Sequence, residues 1–138
     1  MGVEMRTAID LTFESGLTSD SVPDAGFYTW DIPENILYAD SALAELFGLD
    51  PSSAATGLPI DIYLERVHPE DRPRLAKTIR DSIVGHHPQQ EAYRVMSASG
   101  SYAAVASYGR VFRDATGNPI RYVGIVMPTD PGETEKLH

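Results

Sequence analysis

His68-Pro69-Glu70-Asp71-Arg72 opens the best-marked helix of the chain, a run that carries on to about Val84. Proline fixes φ near the helical value and needs no N–H donor, so Pro69 suits a first helical position. Glu70 and Asp71 then fall in the first turn, where the helix dipole favours carboxylates. Leu75, Ala76, Ile79, Ile83 and Val84 follow at i, i+4 and i+8 spacing, with Arg74, Lys77, Arg80 and Asp81 off that apolar stripe. Gly85 suits a left-handed C-terminal cap.

Outward from this helix, the elements on either side differ in kind. Before it, Phe27 to Ile32 is rich in strand formers, Pro33-Glu34-Asn35 makes a turn, and Ile36 to Ala39 returns, which predicts a hairpin. Asp40 suits the N-cap of a helix from Ser41 to Phe47, with Leu43, Leu46 and Phe47 as its apolar face and Gly48 as its stop. Asp50-Pro51 opens another helical turn, broken by Thr56-Gly57 and Pro59, and Asp61 caps a third short helix carrying Ile62, Leu64 and Val67. After the long helix, Gln90 to Ser97, Tyr102 to Arg113 and Ile120 to Met127 read as strands. Ser99-Gly100 and the Asp114–Pro119 cluster (DATGNP) supply the turns between them. Two strands, a helical crossing and three strands are segregated rather than alternating, which predicts an α+β domain over residues 26–128.

The flanks are less distinct. Within residues 1–25, Met5, Ile9, Phe13 and Leu17 recur every four residues with Ala8 on the same face, as in an amphipathic helix. Ile9, Leu11 and Phe13 also alternate with Asp10, Thr12 and Glu14, as in a strand; the helix is the favoured reading. Ser19 to Gly26 reads as a loop, and residues 129–138 as a polar linker or tail.

Composition narrows the function. Eleven Lys and Arg against 20 Asp and Glu give a net charge of −9. That balance argues against nucleic acid and against anionic membrane surfaces, both of which recruit Lys and Arg. There is no cysteine, so disulfides, thiolate chemistry, Cys-ligated metals and a cysteinyl-flavin adduct are excluded. No apolar run approaches the roughly 18 residues of a membrane span, and the start Met-Gly-Val-Glu-Met-Arg lacks the order of a signal peptide. A cytoplasmic domain is the expectation.

The ordered pieces Gly26-Phe27-Tyr28-Thr29-Trp30-Asp31, Tyr38-Ala39-Asp40, Leu46-Phe47-Gly48, Val67-His68-Pro69-Glu70-Asp71-Arg72, Tyr93-Arg94-Val95, Gly100-Ser101-Tyr102, Asp114–Pro119 and Gly124-Ile125-Val126 resemble a PAS domain. They are similar to the subtype common in bacterial sensor histidine kinases and diguanylate-cyclase regulators. The resemblance implies a five-stranded antiparallel sheet of order 2-1-5-4-3, with helices packed on one face around a pocket. It also implies sensing of a small molecule, redox state or light, or dimerisation, with the signal passed to an effector domain on the same polypeptide. A homodimer is the expected assembly. No effector is present in these residues, so the chain reads either as a piece of a larger signalling protein or as a free-standing domain. The subtype usually has Trp in the fourth strand, where Ala104 stands here. The small run Ala103-Ala104-Val105-Ala106 is expected to enlarge a cavity or flatten a packing face. The family's usual Asp-Ile-Thr-like exit is replaced by Met127-Pro128-Thr129-Asp130-Pro131.

Tyr28, Trp30, Tyr38, Phe47, Tyr93 and Tyr108 are the aromatics expected to face the sheet–helix interior. The candidate pocket lining is Tyr28, Trp30, Tyr38, Phe47, Leu64, Ile79, Ile83, Tyr93, Val95 and Val105, with Ala103 or Val105 opposite Tyr93 and Val95 and with Arg94 on the opposite face. Plain core packing is the competing explanation for the aromatics. His68 is read as a helix-start residue that satisfies free N–H groups, and His86-His87 as a solvated turn, in preference to haem or metal ligands. Which cofactor binds, if any, is not legible. No dinucleotide fingerprint, P-loop, nucleophile elbow or zinc-protease motif is present. Asp31, Asp40 and Asp61 read as strand-end and capping residues. Two alternatives to a sensor remain: a purely structural protein–protein interaction domain, and a small isomerase or hydratase using Asp61 opposite Tyr63.

Overall fold

The computed structural model describes residues 24–130. Strands β1 (Gly26–Asp31) and β2 (Ile36–Ala39) form the expected hairpin. Asn35 closes its turn with φ of 54°. Three short helices follow: α1 (Ser41–Leu46), α2 (Pro51–Thr56) and α3 (Ile60–Leu64). Asp40 caps α1 through Leu43 N–H at 3.0 Å, and its other oxygen accepts from Phe27 N–H at 3.1 Å, so one carboxylate ties the helix start to β1. Asp50 caps α2 through Ser53 N–H at 3.0 Å. For α3 the N-cap is Pro59, and Asp61 lies in the first turn instead.

The long helix α4 spans Arg72–Gly85, so it starts later than the HPEDR reading places it. Residues 68–71 are a turn, and Pro73 rather than Pro69 holds the first-turn proline position. Asp71 is therefore free to accept hydrogen bonds from Arg94 on the neighbouring strand. At the other end, His86 rather than Gly85 adopts the left-handed conformation, with φ of 63°. The face of α4 against the sheet carries Leu75, Ile79, Ser82 and Ile83, whereas Ala76 and Val84 point to solvent.

Strands β3 (Gln89–Met96), β4 (Tyr102–Arg113) and β5 (Pro119–Pro128) complete an antiparallel sheet of order β2-β1-β5-β4-β3. The helices contact one face of it: α1 against β1, α2 against β2, and α4 against β3 and β4. This is the sheet order and one-sided helical cover that the sequence resemblance implies. Tyr93 pairs with Val105 and Val95 with Ala103, as the strand pattern requires, and Arg94 falls on the other face beside Ala104. Each sheet edge meets a single bridge, Leu58 on Leu37 and Val67 on Val95, which shortens the backbone open to edge-to-edge pairing.

Charged clamps hold the helical layer to the sheet. The Arg94 guanidinium donates to both oxygens of Asp71, at 2.8 and 2.9 Å, and Arg94 N–H donates to the same carboxylate. Burial alone would raise the Asp71 carboxyl, but the hydrogen bonds and charge of Arg94, with Arg74 beyond it, hold it below the usual carboxylate range. Arg66 donates to the carbonyls of Phe47, Met96 and Ser97 and so links the end of α1 to the end of β3. No helix among the described residues is long and apolar enough to cross a membrane. The N-terminal segment with Met5, Ile9, Phe13 and Leu17, whether helix or strand, lies outside the described residues.

Candidate functional site: an uncharged cavity between sheet and helices

The core lies between the helices and the inward face of the sheet. Period-two alternation sends Tyr28 and Trp30 of β1, Leu37 of β2, Gln89 and Tyr93 of β3, Ser107 of β4, and Tyr122 and Val126 of β5 to that face. Leu43 and Phe47 at the end of α1, Ile60, Tyr63 and Leu64 of α3, Val67, and Leu75 and Ile79 of α4 close over them. A cavity of about 50 Å³ remains between these side chains.

Two glycines seat Tyr28, one of its walls. Gly109 and Gly124 pair across β4 and β5, and the Tyr28 ring lies over them. A Cβ on Gly124 would come within 2.5 Å of the Tyr28 hydroxyl, and one on Gly109 within 2.8 Å. The absent side chains are thus the seat of Tyr28, which also stacks on Tyr122 with ring centroids 6.3 Å apart.

The polar groups of the wall are almost all matched. Tyr122 O–H donates to Gln89 Oε1 at 3.0 Å, and Gln89 Nε2 donates to Ser107 Oγ at 2.5 Å. Trp30 Nε1 donates to Asn35 Oδ1 at 3.0 Å. Among the fully buried polar atoms of the described residues, the Tyr63 hydroxyl is the one without a hydrogen-bond partner; its ring meets Phe47 edge-on at 5.3 Å and the residue is 4% exposed. Burial pushes the Tyr63 and Tyr93 hydroxyls up to about 12, the latter against a hydrogen bond with Ser107. Burial also raises Tyr28, helped by Tyr122 and Tyr93 nearby, and raises Tyr122 against a hydrogen bond with Ser82.

Of the sequence candidates, Tyr28, Trp30, Phe47, Leu64, Ile79 and Tyr93 come together on this cavity. Val95 and Val105 are fully buried in the adjoining core, and Ile83 packs against that core from α4 without reaching the cavity. Tyr38 and Tyr108 are corrections. Each stands on the outward face of the sheet, 43% and 39% exposed, because its strand position is one residue out of phase with the buried Leu37 or Ser107. Ala104 and Ala106 also face outward, so that small run flattens the outer face rather than opening the interior.

Gln89, Ser107, Tyr122 and Val126 were not singled out from the sequence. Strand alternation through Tyr93 and Val126 marks them once β3 is started at Gln89. Tyr63 entered only as the partner of Asp61, but Asp61 is exposed and Tyr63 buried, which removes the pair needed for an isomerase. His68 accepts from Glu70 N–H at 3.1 Å and rests on Tyr102, ring to ring at 4.6 Å. His86 and His87 are exposed. Among the described residues no group of His, Cys, Asp and Glu is placed to hold a metal.

The outward face carries the other distinctive surface. Phe27 (58% exposed), Tyr108 and Ile125 rim a shallow groove with Val123, Gln90 and Arg110. Tyr28 and Gln89 border both this groove and the inner cavity.

An antiparallel sheet of this order, covered on one face by short helices around a small cavity, defines the class of fold. Residues 36–126 match the family model described as the PAS fold, and the chain belongs to that family. It is 29% identical over 113 residues to DgcE, a probable diguanylate cyclase of Escherichia coli, covering 82% of this chain but only a tenth of that protein's length. Among solved structures it is similar to a sensory box histidine kinase/response regulator from Burkholderia thailandensis, with a TM-score of 0.70, 21% identity, and 91% of this chain and 88% of that one covered. It is also similar to the N-terminal domain of a diguanylate cyclase with PAS/PAC sensor from Marinobacter aquaeolei, with a TM-score of 0.67, 19% identity, and 83% and 99% covered.

Proposed function

We propose that residues 26–128 form a cytoplasmic sensory module with no catalysis of its own. A small molecule in the cavity shifts the arrangement of a homodimer, and an effector domain on the same polypeptide reads the change. The observation that carries this reading is a shared wall: Tyr28 and Gln89 border both the cavity and the outer groove, and the Tyr28 ring rests on Gly109 and Gly124. Filling the cavity presses on Tyr28, and Tyr28 presses on the backbone of the two central strands. A ligand moves such an equilibrium only by its differential affinity for the two states.

The cavity is far below the ~300–1,000 Å³ of pockets for drug-sized ligands, which leaves no room for a flavin or haem in this arrangement. The alternative, a structural interaction domain without ligand, is supported by the apolar outer face alone.

Sedimentation of the full chain tests the dimer half of the proposal. The expected result is a concentration-dependent dimer that the double substitution Phe27→Glu/Ile125→Glu converts to a folded monomer. A monomer at all concentrations, or a dimer indifferent to those charges, removes the outer face from the relay. Native mass spectrometry and an absorption spectrum of the same sample test the ligand half. Extra mass on the folded chain supports it; a Soret or flavin band contradicts the cavity volume.

A further inference from the structure

The chemistry of the ligand is encoded in the wall of the cavity. Resting on the sensor reading above, we infer that the site takes a small uncharged molecule of about four non-hydrogen atoms. This molecule offers one hydrogen-bond acceptor to the Tyr63 hydroxyl and apolar surface to everything else.

Three observations carry this. The first is charge. None of the residues lining the cavity is Asp, Glu, Lys, Arg or His, so an ion entering it would lose its hydration and gain no counter-charge. The second is hydrogen-bonding capacity. Tyr122, Gln89 and Ser107 already bond to one another, and Trp30 is held by Asn35. Tyr63 has a buried hydroxyl with nothing to donate to. The third is size. A single water needs about 10–15 Å³ on this measure, so 50 Å³ holds a few waters or one small organic molecule. Water is the poorer occupant, because an ordered water needs two to four polar partners and the one fully buried polar atom of the wall without a partner is the Tyr63 hydroxyl. A carbonyl with a methyl-sized remainder matches both the donor and the aliphatic surface of Leu43, Ile60, Leu64 and Ile79.

Acetone, acetate and xenon are the probes, applied to the ¹⁵N-labelled full chain and followed through amide shifts of the lining residues. Xenon reports whether an apolar cavity accepts any guest. Acetone and acetate have the same shape and differ in charge. The expected result is that xenon and acetone both shift the amides around Tyr63, Phe47 and Ile79, while acetate does not. Tyr63→Phe is then expected to weaken acetone about two- to tenfold and to leave xenon unchanged. Xenon binding without acetone binding, acetate binding as well as acetone, or indifference of acetone to Tyr63→Phe would each overturn the ligand class and leave the sensor reading standing. If neither xenon nor acetone enters, the cavity itself is closed and both readings fall.

Discussion

Tyr63→Phe is expected to make the ligand-free protein more stable, the reverse of what removing a buried polar group usually does. A buried hydroxyl that gave up water without gaining a partner costs about 1–3 kcal/mol, and Tyr63 is in that position. Phenylalanine keeps the ring and its edge-on contact with Phe47. The oxygen it removes leaves a void of about 10–15 Å³, worth about 0.3 kcal/mol against the variant. The net gain is about 1 kcal/mol, or about 3–5 °C in Tm for a domain of this size. Tyr122→Phe is the matched control. It deletes a bond to Gln89 and leaves that buried amide short of a partner, so it should destabilise by about 1–3 kcal/mol. Urea unfolding reads both variants through the single tryptophan, Trp30, which lines the same cavity. A Tyr63→Phe protein less stable than the wild type by 1 kcal/mol or more would mean that the hydroxyl is satisfied in solution, and the reasoning about the free donor would fail.

Further outcomes follow from the same geometry. Gly124→Ala should destabilise by about 1–3 kcal/mol, because its Cβ meets the Tyr108 carbonyl and the Tyr28 hydroxyl at 2.5 Å each, and Tyr28 must leave its seat; denaturant midpoints check it, and a neutral substitution would show that Tyr28 is not seated there. Asp71 has a folded-state pKa below its unfolded one, so its contribution is full above about pH 4 and fades as pH falls through the lower folded value. The stability gap between the wild type and Asp71→Asn should therefore be wide at pH 6 and close towards pH 2; an unchanged gap would show that the carboxylate charge is not what Arg94 holds. At alkaline pH the sign reverses. Tyr28, Tyr63, Tyr93 and Tyr122 have raised folded-state values, so above about pH 10 the unfolded chain releases protons that the folded one keeps. Stability should fall by about 1.4 kcal/mol per pH unit for each of them until its folded value is reached, and the part of the tyrosinate absorbance at 295 nm that belongs to these four should rise together with unfolding rather than before it.

Much of the fold was legible because its signals are local. The hairpin turn at Pro33–Asn35, the Asp40 cap, the helical turn opened by Asp50-Pro51, the DATGNP turn and the extent of β4 each rest on signals within a few residues, and each stands where the sequence places it. The HPEDR stretch misled by one turn because two prolines compete for the helix start. Pro73 wins, since Asp71 gains more from three hydrogen bonds to Arg94 than from a place in the helix dipole. That is a tertiary contact between residues far apart in sequence, and periodicity carries no trace of it. The cavity was legible in part for a related reason. Aromatic residue type marked Tyr28, Trp30 and Tyr93, but residue type alone also drew in Tyr38 and Tyr108, whose strand phase turns them outward. Gln89 and Ser107 are polar and so were passed over, although each shares a strand face with a buried aromatic or aliphatic side chain. The seat of Tyr28 comes from Gly109 and Gly124 meeting across two strands, which only the register reveals.

The central claim is that occupation of the cavity is felt on the outer face of the sheet. Its most direct test is a set of ¹H–¹⁵N spectra of the full chain with and without xenon under pressure. The account predicts shifts at the lining residues and also at Phe27, Tyr108, Gly109, Gly124 and Ile125, on and beneath the outer groove. Shifts confined to the lining, with the outer strands unmoved, would contradict it and leave a packed interaction domain with an inert hole.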